Sequence, residues 1–157
     1  MKKMLIVSSA LAVGAGAVML VGGLWALAFT YQNIAQEKIV TPDDASIPST
    51  PVRGPLTLKA QADVIRMHTL KSTGGLTFAE MPRQVPKMDA EGDAVLDAEG
   101  EPVMVANTAR DMWVTATTLT TALNLGIITY LFSGLVTLFG LISIWTGLVF
   151  YGLSKKY

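Results

Sequence analysis

The sequence predicts a mainly α-helical integral membrane protein: a two-helix transmembrane hairpin with both termini cytoplasmic and a small extracytoplasmic insert of α-helix and β-hairpin. Three observations predict it. Two long apolar stretches, Met4 to Thr30 and Met112 to Leu153, bracket the 157-residue chain. Each is closed on its outer end by a lysine pair, Lys2-Lys3 and Lys155-Lys156. The formal net charge of zero conceals basic ends and an acidic middle, since eight of the twelve Lys/Arg and all twelve Asp/Glu lie between residues 31 and 111, leaving that segment at −4.

A hydrocarbon core of about 30 Å needs roughly 20 helical residues to cross it, so both stretches are long enough. Basic residues close to span ends mark the cytoplasmic side, which puts both lysine pairs inside and the acidic middle outside. The chain then divides into a first transmembrane helix (1–31), an extracytoplasmic segment (32–111), a long second helix (112–154) and a cytoplasmic tail (155–157). The localisation expected is the plasma membrane, with the lipid bilayer as one partner.

The first stretch has features of a signal peptide, with Lys2 and Lys3 as an n-region and Ala26-Leu27-Ala28 as a cleavage-like site. Its apolar run exceeds the roughly 7 to 15 residues of a signal core, so an uncleaved anchor is expected. Trp25, Phe29 and Tyr31 at its outer end, and Phe150, Tyr151 and Tyr157 at the inner end of the second span, suit the two membrane interfaces.

The second stretch as one helix would be about 63 Å long, roughly twice the hydrocarbon thickness. Splitting it at Asn124-Leu125-Gly126 would give three crossings and move Lys155 and Lys156 outside, against the lysine signal. A single long helix is expected instead, crossing from about Gly126 to Leu153, with Met112 to Leu125 on or above the outer interface. Thr115, Thr117, Thr118, Thr120, Thr121 and Asn124 are too dense for lipid exposure. Met112, Ala116, Leu119 and Leu123 recur at helical spacing and predict a face that touches protein.

Small residues mark where helices can approach. In the second span Gly126, Ser133, Gly140 and Gly147 recur every seven residues, with Thr137 and Ser143 beside them. In the first, Ser8, Ala12 and Gly16 fall at four-residue intervals, with Gly22 and Gly23 beyond. Such stripes serve either to pack the two spans together or to dock one of them onto helices of a larger membrane protein. Other integral membrane subunits are therefore candidate partners.

Neither span contains an acidic, basic or histidine side chain, whereas ion and proton pathways normally carry them. Metal or haem ligation within the membrane would have only Met4, Met19 and Met112 to draw on, so no cofactor is expected. No nucleophile elbow, zinc-protease or phosphate-loop motif occurs, and no nucleic-acid partner is expected. The chain is read as non-enzymatic, with no catalytic, cofactor-binding or metal residues.

In the middle segment, Gln32 to Val40 should continue the first helix until Thr41-Pro42 stops it. Asp43 to Pro55 holds Pro48, Pro51 and Pro55 and reads as an extended connector. Leu58 to Ser72 should be an amphipathic helix stopped by Gly74-Gly75, with Ala60, Val64, Met67, His68 and Lys71 at helical spacing. Thr77-Phe78-Ala79-Glu80 reads as the capping box of a short helix. With no cysteines and few large apolar residues, the segment should order against the membrane, the upper second helix or a partner. His68, the only histidine, reads as a structural hydrogen-bonding residue.

Asp89-Ala90-Glu91-Gly92-Asp93-Ala94-Val95 is repeated as Asp97-Ala98-Glu99-Gly100-Glu101-Pro102-Val103. One reading is a β-hairpin with Ala94 to Leu96 and Val103 to Val105 as strands, Asp97 to Glu101 as the connection and Gly100 at positive φ. The other is calcium binding by Asp89, Glu91, Asp93, Asp97, Glu99 and Glu101, although the spacing lacks the full EF-hand pattern.

The run Gln36-Glu37-Lys38-Ile39 with Asp43-Asp44-Ala45 begins a resemblance that continues through Gly54-Pro55-Leu56-Thr57, Ala60-Gln61-Ala62-Asp63-Val64-Ile65 and His68. Thr73-Gly74-Gly75 and Thr77-Phe78-Ala79-Glu80 complete it. On these residues and the hairpin topology the chain resembles a family of small two-span actinobacterial membrane proteins, often labelled as aromatic-ring-opening dioxygenase subunits. That label implies a metal held by histidines and a carboxylate, which one histidine cannot supply. The acidic repeat looks like an insertion relative to shorter members. Similar two-span proteins are accessory subunits of the actinobacterial cytochrome bcc–terminal oxidase supercomplex, so the resemblance implies a structural role in a respiratory complex. The alternative is a free-standing envelope assembly factor or sensor.

Overall fold

A computed structural model describes residues 1–156; Tyr157, expected among the inner aromatics, lies outside the described residues. The element order is α1 (Lys2–Gln36), α2 (Pro55–Ser72), β1 (Gln84–Pro86), β2 (Met104–Ala106) and α3 (Thr108–Ser154). Both α1 and α3 are long and apolar enough to cross a membrane. At 1.5 Å per residue they measure about 53 and 70 Å. They pair antiparallel, and α3 overshoots α1 to carry everything else as a head at one end.

α3 runs without interruption through Asn124-Leu125-Gly126, so no break marks the position at which it would divide into two spans. Its threonines do not disturb it, because Thr115, Thr118 and Thr120 each donate to the carbonyl four residues back. Asn107 starts the helix, its Oδ1 accepting from the Ala109 N–H at 3.1 Å.

α1 ends at Gln36, four residues short of the expected Val40. Lys38 takes a left-handed conformation at φ 53°, which turns the chain out of the helix. The turn frees Ile39 to accept from the Val52 N–H at 2.9 Å, and tertiary pairing thus ends the helix before Pro42 does. Asp43 to Pro55 is likewise not an extended connector. Val40 bridges Pro51, and the Thr41 hydroxyl donates to Ile47 O (2.5 Å) while accepting from the Thr50 N–H (2.9 Å). The segment is a closed strap whose ends meet, organised by a threonine that is 2% exposed.

α2 begins at Pro55, three residues before the expected Leu58, because proline at the first helical position leaves no amide unpaired. Thr57 Oγ1 reaches back to accept from the Arg53 and Gly54 amides at 3.0 and 3.2 Å. Thr77 to Glu80 forms half of the expected capping box, with the Glu80 carboxylate accepting from the Thr77 amide and hydroxyl at 2.7 and 2.6 Å. It is a single turn rather than a helix. Arg110 donates to Phe78 O and Met81 O, occupying the carbonyls a longer helix would use.

The expected turn of the acidic repeat is present, with the Asp97 N–H donating to Glu101 O at 2.8 Å and Leu96 bridged antiparallel to Pro102, but its limbs pair by single bridges rather than as two strands. The sheet pairs β1 with β2 antiparallel, Val85 opposite Val105, and Ala94 to Leu96 contributes only single bridges, Met88 with Ala94 and Leu96 with Pro102. Three limbs meet in a ring of backbone bonds. The Lys87 N–H donates to Val103 O, the Val103 N–H to Val95 O and the Val95 N–H to Lys87 O, each at 2.8 Å. The two repeats are the two turns beside this junction. Asp89 Oδ1 accepts from the Glu91 and Asp93 amides at 3.1 and 2.8 Å, and Asp97 Oδ1 from those of Glu99 and Glu101 at 3.0 and 2.9 Å. Gly92 and Gly100 take φ 92° and 87°, so the positive φ expected at Gly100 is present at both.

The core lies where the head meets the helix pair. Val52, Leu58, Ala62 and Leu123 are buried there, flanked by Ile34, Ile39, Ile65, Ile127 and Tyr130.

Candidate functional site

The small-residue stripes form one seam. α1 buries Ser9, Gly16, Gly23 and Thr30, and α3 buries Ser133, Gly140, Gly147 and Ser154, both spaced by seven. Each seven-residue step along α1 matches one back along α3, so Ser9 meets Gly147, Gly16 meets Gly140 and Gly23 meets Ser133. Continuing the register brings Thr30 level with Gly126. A Cβ on Gly16 would lie 2.6 Å from Gly140 O, and one on Gly140 would lie 2.7 Å from Leu20 N. The obstacles are backbone atoms, so only glycine permits this approach. A strict seven-residue seam in both helices implies a shallow left-handed wind. Ser143 donates across it to Ala12 O at 2.8 Å, adding a polar tie.

Of the seven residues expected to pack helices, Gly16, Ser133, Gly140 and Gly147 are buried in the seam and Ala12 is half-buried at its edge. Ser8 is exposed; its neighbour Ser9 holds the seam position, a correction that follows from the seven-residue period. Gly126 faces the head, where an added Cβ would meet Leu58 at 3.2 Å and Ile34 at 3.4 Å. The buried members of the stripes therefore pack the hairpin itself, whereas Ser8 and Gly22 lie outside the seam.

The head is tied to α3 at two levels. At its base, Tyr130 Oη donates to Arg53 O at 2.6 Å, and Arg53 Nη1 donates to Tyr31 Oη at 3.2 Å, joining both helices to the strap. At its top, Trp113 Nε1 donates to Leu76 O at 2.9 Å, while the Arg110 guanidinium lies 3.8 Å above the Phe78 ring. Asn107 Nδ2 donates to Pro82 O at 3.0 Å. The protein-facing side of upper α3 is rotated from the one expected: Trp113, Ala116 and Leu123 are buried, whereas Met112 and Leu119 are 45% and 50% exposed. Trp113 escaped the pattern because its partners lie 37 to 40 residues away in sequence.

No family model matches the chain, and no curated protein or solved structure matches it. Its chemistry is read from its own side chains. His68 Nε2 sits 2.6 Å from Asp44 Oδ2, fastening the strap to α2. The imidazole hydrogen bond holds the Asp44 carboxyl below its ordinary pKa. Both groups are about half exposed, and the pair acts as a tie between two segments. Among the described residues no three His, Cys, Asp or Glu side chains gather as a metal-holding group. Asp89 and Asp97, central to the calcium reading, direct Oδ1 to backbone amides instead.

Among the described residues, the open surfaces include the following two. The outward side of α1 carries Gly14 and Gly22 with nothing within 4 Å of an added Cβ, beside an exposed Trp25 stacked on Phe29 at 5.3 Å. A cleft of about 480 Å³ also lies between the end of α1, α2 and α3.

Proposed function

We propose that the chain is a non-catalytic accessory subunit of a membrane complex, held in the plasma membrane as a two-span hairpin with cytoplasmic termini and an extracytoplasmic head. The observation that carries the reading is the outward side of α1, which still presents Gly14 and Gly22 after the seam has used Gly16 and Gly23. Small residues on a lipid-level surface allow another helix to approach closely, and no hydrophobic drive is needed for such contact in a bilayer. The lysine pairs and acidic middle support the sidedness. The absence of ionisable side chains between Met4 and Thr30, and between Met112 and Leu153, supports docking over conduction.

The resemblance of residues 36–80 to small two-span actinobacterial proteins makes the cytochrome bcc–terminal oxidase supercomplex the partner proposed. The seam and the two-level clamp hold the head at fixed height above α1 and α3, which suits bracing a neighbouring subunit on the extracytoplasmic side. A second reading, a free-standing assembly factor or sensor, is favoured by the head closing on its own α3 through Asn107, Arg110 and Trp113.

The test is affinity purification of the tagged chain in mild detergent, with mass spectrometry and a visible-light spectrum of the eluate. Haem absorbance and stoichiometric oxidase subunits are expected. Recovery as a haem-free chain without companions would overturn the subunit reading in favour of the second.

A further inference from the structure

A smaller pocket, of about 180 Å³, lies where the chain leaves α1, lined by Lys38 and Arg53 beside apolar walls that include Ile39, Pro51 and the buried Val52. Its lining holds these two cations and no carboxylate. Among the described residues neither cation is paired, the ion pairs being Lys59 with Asp63 and His68 with Asp44. The acidic groups nearest in sequence are engaged elsewhere: Asp43 accepts from Ser49, Asp44 holds His68, and Glu37 lines the cleft against α2 and α3. The backbone brings the two cations to one place. Lys38, left-handed at φ 53°, turns the chain so that Val40 bridges Pro51. Arg53 is fixed at both ends, its carbonyl accepting from Tyr130 Oη at 2.6 Å and its Nη1 donating to Tyr31 Oη at 3.2 Å. That contact uses one of the five guanidinium donors.

Two uncompensated cations in one pocket call for an anion with several acceptor oxygens, and arginine with lysine is the pair that suits phosphate. The volume is below the roughly 300–1,000 Å³ of sites for drug-sized molecules, so the pocket takes a chemical group rather than a whole ligand. Its height names the source of that group. Tyr31 and Tyr130 belong to the proposed spans, and α1 ends at Gln36, about 9 Å beyond Thr30, which is level with Gly126 at the outer edge of the hydrocarbon. The pocket therefore stands at the headgroup layer, which is about 5–8 Å deep on each side. We propose that it holds the phosphodiester of an anionic outer-leaflet phospholipid, with Lys38 Nζ and the remaining Arg53 donors directed to its oxygens. Phosphatidylcholine bears the same phosphodiester, but its quaternary ammonium would bring a third cation to a pocket without a carboxylate. The inference rests on the membrane reading above.

Full-length protein is placed in phosphatidylcholine nanodiscs containing a minor fraction of dioleoylphosphatidylglycerol, and retained lipids are measured by native mass spectrometry. Dioleoylphosphatidylglycerol is expected in excess over its bulk fraction. The terminal lysine pairs attract the same lipid at the other face, so the quantity read is the share of the excess that a substitution removes. Lys38→Gly, which suits the left-handed backbone, and Arg53→Gln should each weaken the site about fivefold and remove similar shares. Lys59→Gln, whose charge is paired with Asp63, should remove none, and inorganic phosphate at matched ionic strength should leave the excess in place. No excess, an excess unchanged in Lys38→Gly and Arg53→Gln, or equal loss in Lys59→Gln would each overturn the lipid site alone. Displacement by inorganic phosphate would overturn the lipid as the source and assign the pocket to soluble phosphate. Failure of the chain to enter nanodiscs would overturn the membrane reading with it.

Discussion

Gly16 and Gly140 meet backbone to backbone: a Cβ on the first would sit 2.6 Å from the carbonyl oxygen of the second, and a Cβ on the second 2.9 Å from that of the first. The two helices approach backbone to backbone, and the closeness depends on two hydrogen atoms standing where methyl groups would be.

Gly16→Ala or Gly140→Ala must therefore push the helices apart. The expected cost is roughly 1–3 kcal/mol, as for other overpacked sites. Gly14→Ala, where an added Cβ meets nothing, should be neutral or slightly stabilising. Thermal unfolding in detergent, followed by circular dichroism, distinguishes the two; equal melting temperatures for Gly16→Ala and Gly14→Ala would refute the seam.

Trp113→Phe keeps most of the buried ring but removes one of the two donors to Leu76 O. Because Thr73 Oγ1 still donates to that carbonyl at 2.7 Å, the loss is one of two hydrogen bonds, about 0.5–1.5 kcal/mol. Faster amide hydrogen exchange is expected across residues 73–81, with exchange along α1 unchanged. Uniform acceleration in both places would mean that the head and the hairpin open together.

The strap should loosen in acid. Its His68 partner holds the Asp44 pKa below the ordinary 3.8, so the ionised carboxylate is favoured in the folded state. A depressed folded pKa contributes stability above the unfolded value, and that contribution is lost as pH falls below 3.8 through the folded pKa. Limited proteolysis between residues 41 and 50 should accelerate over that range. Asp44→Asn should already be susceptible at neutral pH and respond less to acid; an unchanged acid response would locate the switch elsewhere.

Gly92 and Gly100 hold matching left-handed turns, so Gly92→Ala and Gly100→Ala should destabilise the three-limbed junction by similar amounts, about 1–2 kcal/mol each. Because Asp89 and Asp97 direct Oδ1 to backbone amides, adding calcium or a chelator should leave the melting temperature of the junction unchanged. A calcium-dependent rise would restore the ion-binding reading of the repeat.

What was legible in the sequence had a local cause. The seven-residue spacing of Gly126, Ser133, Gly140 and Gly147 stands out in an apolar run and predicted a close-approach stripe; its last three members lie in the seam. In α1, Ser8-Ala12-Gly16 and Ser9-Gly16-Gly23 are both acceptable helical faces, and only the α3 period selects the second. Three prolines in the strap suggest extension, while the Thr41 hydroxyl that closes it works across nine residues. β1 is short and ends in Pro86, so nothing in it announces a strand until Met104 to Ala106 lies alongside. Trp113 and Arg110 act on carbonyls some 30 to 40 residues away, a relation invisible to periodicity.

The sidedness of the hairpin is tested most directly by single-cysteine labelling, for which the cysteine-free chain is already suited. Ser46→Cys in the exposed strap should react with a membrane-impermeant maleimide in intact cells, whereas a cysteine appended after Tyr157 should react only once the membrane is opened. Labelling of both cysteines in intact cells would contradict a single crossing by α3, and labelling of the appended cysteine alone would contradict the cytoplasmic placement of the termini.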